Sequence, residues 1–486
     1  MREWEALAGL ELQSGRMGRR PFLTLLQVAA GGLALALGTP EAVVEGAVAP
    51  EARRRVAGAG PGFSPNVFLH VAPDGWVTVV CHRSEMGQGI RSSIPVLIAD
   101  ELGADMARVR IQQADGDAVY GDQNTDGSSS IRGHYDQLRQ VAATARTILV
   151  RVGARRLGVK PNECTALDHR VQHRPSGRFV DFGVLALLAE REPLPAPESV
   201  ELRPDSELRH VGSALPLLDA KAYVTGTALF GADVRLPGML IAVIARPPVV
   251  GGSVASFDEP AALGVPGVRK VLRMPDPKPP YAFQPWGGVA VLADDTWSAQ
   301  RGRNALAVKW NDGEHQVYDS GEYRKALQVS VSAPGTVVRR VGDVEAALKS
   351  AARVVEAEYY VPHQPHAPME PPVAVARVSG DRCEVWAPTQ NPQAARKEAA
   401  RVLGVPEANV AVHVTFLGGA FGRKSKADFV AEAVWLAREA GAPVRVQWTR
   451  EDDFHHDYYN TVSLQRMRAG LDAQGKVIAW HQRSAF

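Results

Sequence analysis

The sequence predicts a multidomain α+β protein, and three observations carry that prediction. The chain has 486 residues, a length that suggests two to four domains. Short β-branched runs alternate with helical patterns, with no fixed internal period. Glycine-rich turns stand between strand and helix patterns, the plainest being Gly418-Gly-Ala-Phe-Gly-Arg-Lys424. Such a turn sets several backbone N–H groups on one concave surface, a nest for an anion. The plainer reading is a tight connection with glycines at positive φ.

Composition narrows the classes. Net charge is +2, with acidic and basic residues interleaved, so nothing asks for nucleic acid or marks a charged tail. Hydrophobic residues make up 45% of the chain, enough for large cores. The three cysteines, Cys81, Cys164 and Cys383, are isolated. Without a C-x-x-C pair they predict no zinc or iron–sulfur site, and each reads as a small buried hydrophobe.

The elements follow in order. Arg19-Arg20-Pro21-Phe22-Leu23 precedes an apolar run from Leu25 to Leu37 that is short for a membrane span. We read residues 1–49 as a twin-arginine export signal, and so expect a periplasmic protein exported already folded. Residues 50–64, rich in Ala, Gly, Pro and Arg, read as a linker. In the next unit, 65–215, Val67 to Val71 and Trp76 to Val80 flank a Pro-Asp-Gly turn as two strands. Glu85-Met-Gly-Gln-Gly89 leads into a helix with Ile94, Leu97, Ile98 and Leu102 on one face, and Val109 to Ile111 is a strand. The polar loop from Gly121 to Ser130 opens a long helix with Leu138, Val141, Ala145, Ile148 and Leu149 buried. Residues 154–215 give no clear pattern.

A small α+β unit spans 216–312. Short strands are expected around Val224-Thr-Gly226 and Phe230-Gly231, buried strands at Met239 to Ala245 and Gly288 to Ala293, and a helix from Thr296 to Ala307. Residues 311–335 read as a polar connection. The last unit, 336–486, has strands at 352–361, 373–378, 383–386, 410–415 and 444–448. Helices precede Gly404 and Gly441, which end them.

Gln364, His366 and Glu370 lie in a proline-studded segment that resists becoming a central strand. A histidine near a carboxylate suits acid–base chemistry or a metal; a turn with solvated polar side chains explains it equally well. Thr389-Gln390-Asn391 reads as the cap of the following helix. His455-His456 beside Asp452, Asp453 and Asp457 reads as a solvated loop.

Five motifs in order are Glu85-Met-Gly-Gln-Gly89, Asp126-Gly-Ser-Ser-Ser130, Gln364-Pro-His-Ala-Pro-Met-Glu-Pro371, Thr389-Gln-Asn-Pro392 and Gly418 to Lys424. This set resembles the molybdenum-binding large subunits of the xanthine dehydrogenase and aldehyde oxidase family, in the isoquinoline 1-oxidoreductase beta branch. Gly226, Phe230-Gly231, Asp233 and Leu236-Pro-Gly238 resemble the entry to that family's hammerhead α+β domain. The resemblance covers about residues 65 to 486. It implies a molybdopterin cytosine dinucleotide and hydroxylation of an N-heterocycle or aldehyde with oxygen from water. In that picture the cofactor carries the redox chemistry and the protein positions it.

By the same resemblance, Gln364 bonds an oxo group and Glu370 faces substrate. Met86, Gly87, Gln88 and Gly89, with Gly127, Ser128, Ser129 and Ser130, hold the pterin and its phosphates. Gly418, Gly419, Ala420, Phe421, Gly422 and Arg423 approach the metal's ligands, and no side chain of this chain ligates the metal. Electrons pass to a small iron–sulfur subunit with two two-iron two-sulfur clusters, and the electron acceptor brings peripheral membrane association. The family's general-base glutamate, in a late G-x-G-E motif, has no counterpart, so we expect a fragment with an incomplete cofactor domain. Two other classes compete: a non-catalytic remnant that at most binds the partner subunit, and an exported ligand-binding protein.

Overall fold

The first described sheet forms around a crossover. A computed structural model of the chain describes residues 55–486, and the expected signal segment lies outside them. Strands β1 (Leu69–Val71) and β2 (Val77–Cys81) pair antiparallel, and β2 runs parallel to β3 (Val109–Gln113). The crossover is helix α1 (Ile90–Leu102), ended by Gly103 at φ 80°. After the short α2 (Ser129–Arg132) comes the long α3 (Tyr135–Leu157), and Leu97, Ile98, Leu102, Leu138, Ile148 and Leu149 share its core.

The expected linker 50–64 is partly core. Phe63 is fully buried and exchanges two backbone hydrogen bonds with Val71, so one aromatic anchor fixes this stretch. The unassigned region holds a small antiparallel sheet, β4 (Cys164–Leu167), β5 (Arg170–His173) and β6 (Phe179–Asp181), then α4 (Phe182–Ala189).

Where short strands were expected near Val224, the chain forms α5 (Ala220–Thr225). Val224 is exposed there and meets no sheet edge, so its β-branched preference has nothing to act on. Next come β7 (Leu240–Ala245), β8 (Ser253–Ser256), α6 (Glu259–Leu263), β9 (Val268–Met274), β10 (Gly288–Ala293), α7 (Thr296–Ala305) and β11 (Lys309–Asn311). The expected polar connection contains α8 (Ser320–Ser332), capped by Asp319, whose carboxylate accepts from Glu322 N–H. Only Leu327 and Val331, one turn apart, are buried, which is why its pattern reads as polar.

The remaining elements are α9 (Val344–Ser350), β12 (Arg353–Val361), β13 (Val373–Ser379), β14 (Arg382–Ala387), α10 (Pro392–Leu403), β15 (Val410–Val414), α11 (Asp428–Ala440), β16 (Val444–Gln447), α12 (Arg450–His455), β17 (Ser463–Leu471) and β18 (Val477–Ala485). The units expected at 216–312 and 336–486 share one seven-stranded sheet, ordered β15-β14-β13-β16-β7-β10-β9. Ile244, Leu292, Ala374, Phe429, Val434 and Trp448 lie in one common core. A fully buried pair, Arg246 with Glu432 at 2.7 Å, joins β7's end to α11, and Trp448 Nε1–H also donates to Glu432. Among the described residues, no helix is long and apolar enough to cross a membrane.

Candidate functional site

Three glycine-rich turns, far apart in sequence, are joined by hydrogen bonds, two of them through one buried side chain. Gln390 Oε1 accepts from Gly422 N–H at 3.0 Å, and its Nε2 donates to the Thr125 carbonyl at 2.7 Å. The Gln390 backbone closes the same connection, donating to the Lys424 carbonyl and accepting from Thr125 N–H. Ser84 N–H donates to Thr125 Oγ1, and Ser84 Oγ donates to the Thr389 carbonyl. Leu417 N–H donates to the Glu85 carbonyl at 3.0 Å. Asn391 caps α10 as expected, with Oδ1 accepting from Ala394 N–H. The role of Gln390 next to that cap is one that capping does not reveal.

The turn at 418–424 is a nest. Gly419, Phe421 and Gly422 have φ of 79°, 57° and 113°, and interleaved left-handed residues turn successive N–H groups to one side. Among the described residues, the N–H groups of Gly419, Ala420 and Phe421 donate to no protein acceptor. Gly418 has to be glycine, since a Cβ there would lie 2.6 Å from Glu370 Cβ. Phe421 is an exposed aromatic held in a left-handed conformation, a strain that persists only when the surroundings over-determine it. With Met369, 83% exposed, it gives the nest apolar lips.

The surroundings are a buried ionic frame. Arg423 grips Asp428 through two hydrogen bonds of 2.9 and 2.7 Å, both side chains fully buried. Its Nε lies 3.1 Å from Asp457, also fully buried. Burial pushes the Asp457 carboxyl up, but hydrogen bonds from His366 and the Arg423 charge outweigh it and hold it below the ordinary carboxylate range. Lys424 Nζ donates to Glu370 at 2.8 Å, and burial depresses its ammonium although Glu370 pulls the other way. Asp453, paired with Arg450 at 2.6 Å, is pushed up to about 6, mainly by burial.

The expected site residues fall into different environments. The Glu370 carboxylate is fully engaged, accepting from Lys424, Gly418 N–H and Ala232 N–H. The Gln364 side-chain amide has no protein partner among the described residues, while the Gln364 backbone carbonyl accepts from Asn460 N–H. At 85–91, the Glu85 carboxylate already accepts from Gly87, Gly89 and Arg91 N–H. The Gln88 amide is likewise bound to Ser84 and Met86, so of Met86 to Gly89 only the Gln88 N–H stays open. Gly127 and Ser128 are both left-handed and exposed, and Ser129 Oγ donates to the Asp126 carbonyl. The Ser128 and Ser130 hydroxyls carry no protein bond among the described residues.

The histidine–aspartate run at 452–457 is no solvated loop. Asp452, Asp453, His456 and Asp457 are buried, with Asp452 held by Arg303 at 2.9 Å. The pairing of Asp452 with Arg246 and the edge-on contact of His456 with Trp448 could not be read from local polarity. Among the described residues, no group of three or more side chains is placed to hold a metal ion. Asp457 was legible as a residue type but not as the partner of His366, because 91 positions separate them.

Two models of a molybdopterin cofactor-binding domain match the chain, over residues 42–222 and 329–485. The chain is 33% identical over 431 residues to the membrane-bound aldehyde dehydrogenase [pyrroloquinoline-quinone] of Gluconacetobacter polyoxogenes, covering 87% of this chain and 55% of that protein. It is 30% identical over 465 residues to the beta subunit of isoquinoline 1-oxidoreductase from Brevundimonas diminuta, covering 86% and 58%. With one subunit of the nicotinate dehydrogenase of Pseudomonas putida it shares 29% over 428 residues, covering 86% and 35%. The chain thus spans little more than half the length of the first two of these relatives. It belongs to the molybdopterin cofactor-binding subunits of the xanthine dehydrogenase family.

Proposed function

We propose that this chain is the cofactor-binding part of an exported molybdenum hydroxylase, acting on an N-heterocycle or an aldehyde. The observation that carries this reading is the joining of three turns: Gln390 ties 418–424 to 121–130, and the start of the 85–89 turn is tied to both through Ser84 on Thr125 and Leu417 N–H on the Glu85 carbonyl. The donors suit an oxygen-rich, anionic group: open N–H groups at 419–421, open hydroxyls at Ser128 and Ser130, and one carboxylate, Glu370, already neutralised. When bound, a molybdenum pterin supplies the two-electron redox chemistry.

The residues of this chain then do three things. The 419–421 N–H groups stabilise negative charge on oxygen. Ser128 and Ser130, with the Gly127 and Ser128 backbone, hold the far, phosphate-bearing end in its cytosine dinucleotide form. Phe421 and Met369 exclude water and offer an apolar face to a planar substrate. Gln364, whose side-chain amide is free, would hydrogen-bond an oxygen of the bound group, while Glu370 braces the loop. An iron–sulfur partner takes the electrons, and the paired Arg19-Arg20 support export to the periplasm by the twin-arginine route.

One observation favours a second reading, a chain that binds its partner without turnover: Glu370 is engaged and offers no free carboxylate to substrate. Metal analysis of the chain produced with its iron–sulfur partner decides. We expect about one molybdenum per chain, release of cytidine monophosphate on hydrolysis, and dye-linked oxidation of isoquinoline or an aldehyde. Molybdenum without oxidation supports the second reading. A bound quinone and no molybdenum overturns both.

A further inference from the structure

The loop that carries the open Ser128 and Ser130 hydroxyls is held at two places. One is Thr125, through Gln390 and Ser84. The other is Arg83, just past β2, whose side chain is fully buried. Arg83 Nη1 donates to the Asn124 carbonyl, and Nη2 lies 3.2 Å from the Asp122 carboxylate and 3.0 Å from His134 Nε2. His134 stands directly before α3. A guanidinium has only donors, so the ring nitrogen that faces it carries a lone pair and the imidazole is neutral. Burial and the Arg83 charge hold His134 below the ordinary histidine range, against the pull of the Ser129 carbonyl and Asp122. The His82 ring lies 5.0 Å from that of His134. Burial first, then His134 and Arg83, push His82 down to about 3. Among the described residues, Asp122 is the one carboxylate paired with Arg83, and its side chain is 65% exposed.

We infer that Arg83 and His134 are positioning residues for the 126–130 loop, a latch that acid opens by placing a proton on His134. The charged and titratable groups facing the imidazole are His82 and Arg83, past the end of β2, and Asp122 of the loop. On the neutral ring, Nε2 accepts from Arg83 and ties the start of α3 to the Arg83 anchor. On the imidazolium no lone pair remains there, and two cations face each other with one exposed carboxylate to offset them. His82 is too strongly depressed to take the proton first. The latch belongs to the chain itself. Its bearing on a bound group rests on the proposed function, in which Ser128 and Ser130 hold the phosphate-bearing end.

The test is hydrogen exchange in the full chain at pH 5 and pH 7.5, corrected for intrinsic rates. In the parent, opening at 122–134 should rise about tenfold or more at pH 5, the worth of one hydrogen bond to a charged group, while β13 is unchanged. His134→Gln keeps an acceptor for Arg83 and takes up no proton, so its opening should be equal at both pH values. Asp453 titrates in this window with the opposite sign, since its protonation favours the folded chain. Equal opening of the parent at the two pH values overturns the inference, as does a pH response that survives in His134→Gln. If His134→Gln fails to fold, NMR titration of the His134 ring decides: it should move up in Arg83→Gln, and an unchanged midpoint overturns the inference. In the molybdenum-loaded complex at pH 5, the parent should lose metal about tenfold faster than His134→Gln. Equal loss overturns the role toward the bound group. A parent without molybdenum overturns the proposed function instead, and the exchange result still decides the latch.

Discussion

The turns at 85–89 and 418–424 have the same grammar and opposite states. Each follows a strand pattern, carries left-handed glycines and precedes helical structure. In the first, the Glu85 carboxylate accepts from three N–H groups of its own loop and helix start, so the nest is filled from within. In the second, the neighbouring carboxylates are drawn away: Glu370 by Lys424, Asp428 and Asp457 by Arg423. The N–H groups of 419–421 are left open. Glycine spacing sets the shape of a nest, and the placement of nearby carboxylates decides whether it is available.

The largest expected effect breaks the frame behind the open nest. Arg423→Ala leaves Asp428 and Asp457 buried without their shared cation, and should cost about 3–5 kcal/mol in chemical denaturation. A cost under about 1 kcal/mol would mean that the frame does not hold the nest. Next, Gln390→Leu strands Gly422 N–H and the Thr125 carbonyl, an expected loss of about 2–3 kcal/mol. Hydrogen exchange should quicken at 121–130 and 418–424 together and stay unchanged at 85–89. Acceleration at one stretch alone would show the turns to be independent.

Two buried aspartates in the frame should respond oppositely to pH. The Asp453 carboxyl titrates near 6 in the folded chain and near 3.8 when unfolded. Between those values the folded chain holds the extra proton, so stability is lost as pH rises through that window. Asp453→Asn should therefore stabilise the chain above pH 6, by something on the order of 2 kcal/mol, and the gain should vanish below about pH 4. Asp457 has its folded value depressed, so its contribution is present above the unfolded carboxyl value and lost as pH falls through the folded one. Denaturation of Asp453→Asn at pH 4 and pH 7.5 checks the first claim, and an equal difference at both would refute it.

The smallest effect converts one turn toward the other. Glu85→Ala empties the first nest at a cost near that of a lost helix cap, about 1 kcal/mol. Inorganic phosphate should then raise its melting temperature more than it raises the parent's. No difference in the phosphate response would mean that the 85–89 backbone cannot hold an anion even when vacated.

Much of the fold was legible because glycine marks helix ends in a way any fold must respect. Gly103, Gly404 and Gly441 all end helices in the left-handed conformation. The helix at Ser320–Ser332 was missed because Leu327 and Val331 alone face inward, too few for a stripe. The shared seven-stranded sheet was missed because pairing between β7 and β16 depends on residues about two hundred positions apart. At the site, the motif residues were legible as types. Whether each donor is open or already bonded was not, since Glu85 and Gln88 turn inward through local bonds while Gln390 reaches across the fold.

The sheet order also sets a timetable. Strand β16 lies between β13 and β7 and pairs with both, yet it is the last of the seven strands to leave the ribosome. Until Val444–Gln447 arrives, two partial sheets wait with bare edges on the sides they will share, and a bare edge invites pairing with the wrong chain. Slowed synthesis just before residue 444 should therefore increase aggregation more than the same pause placed after residue 447.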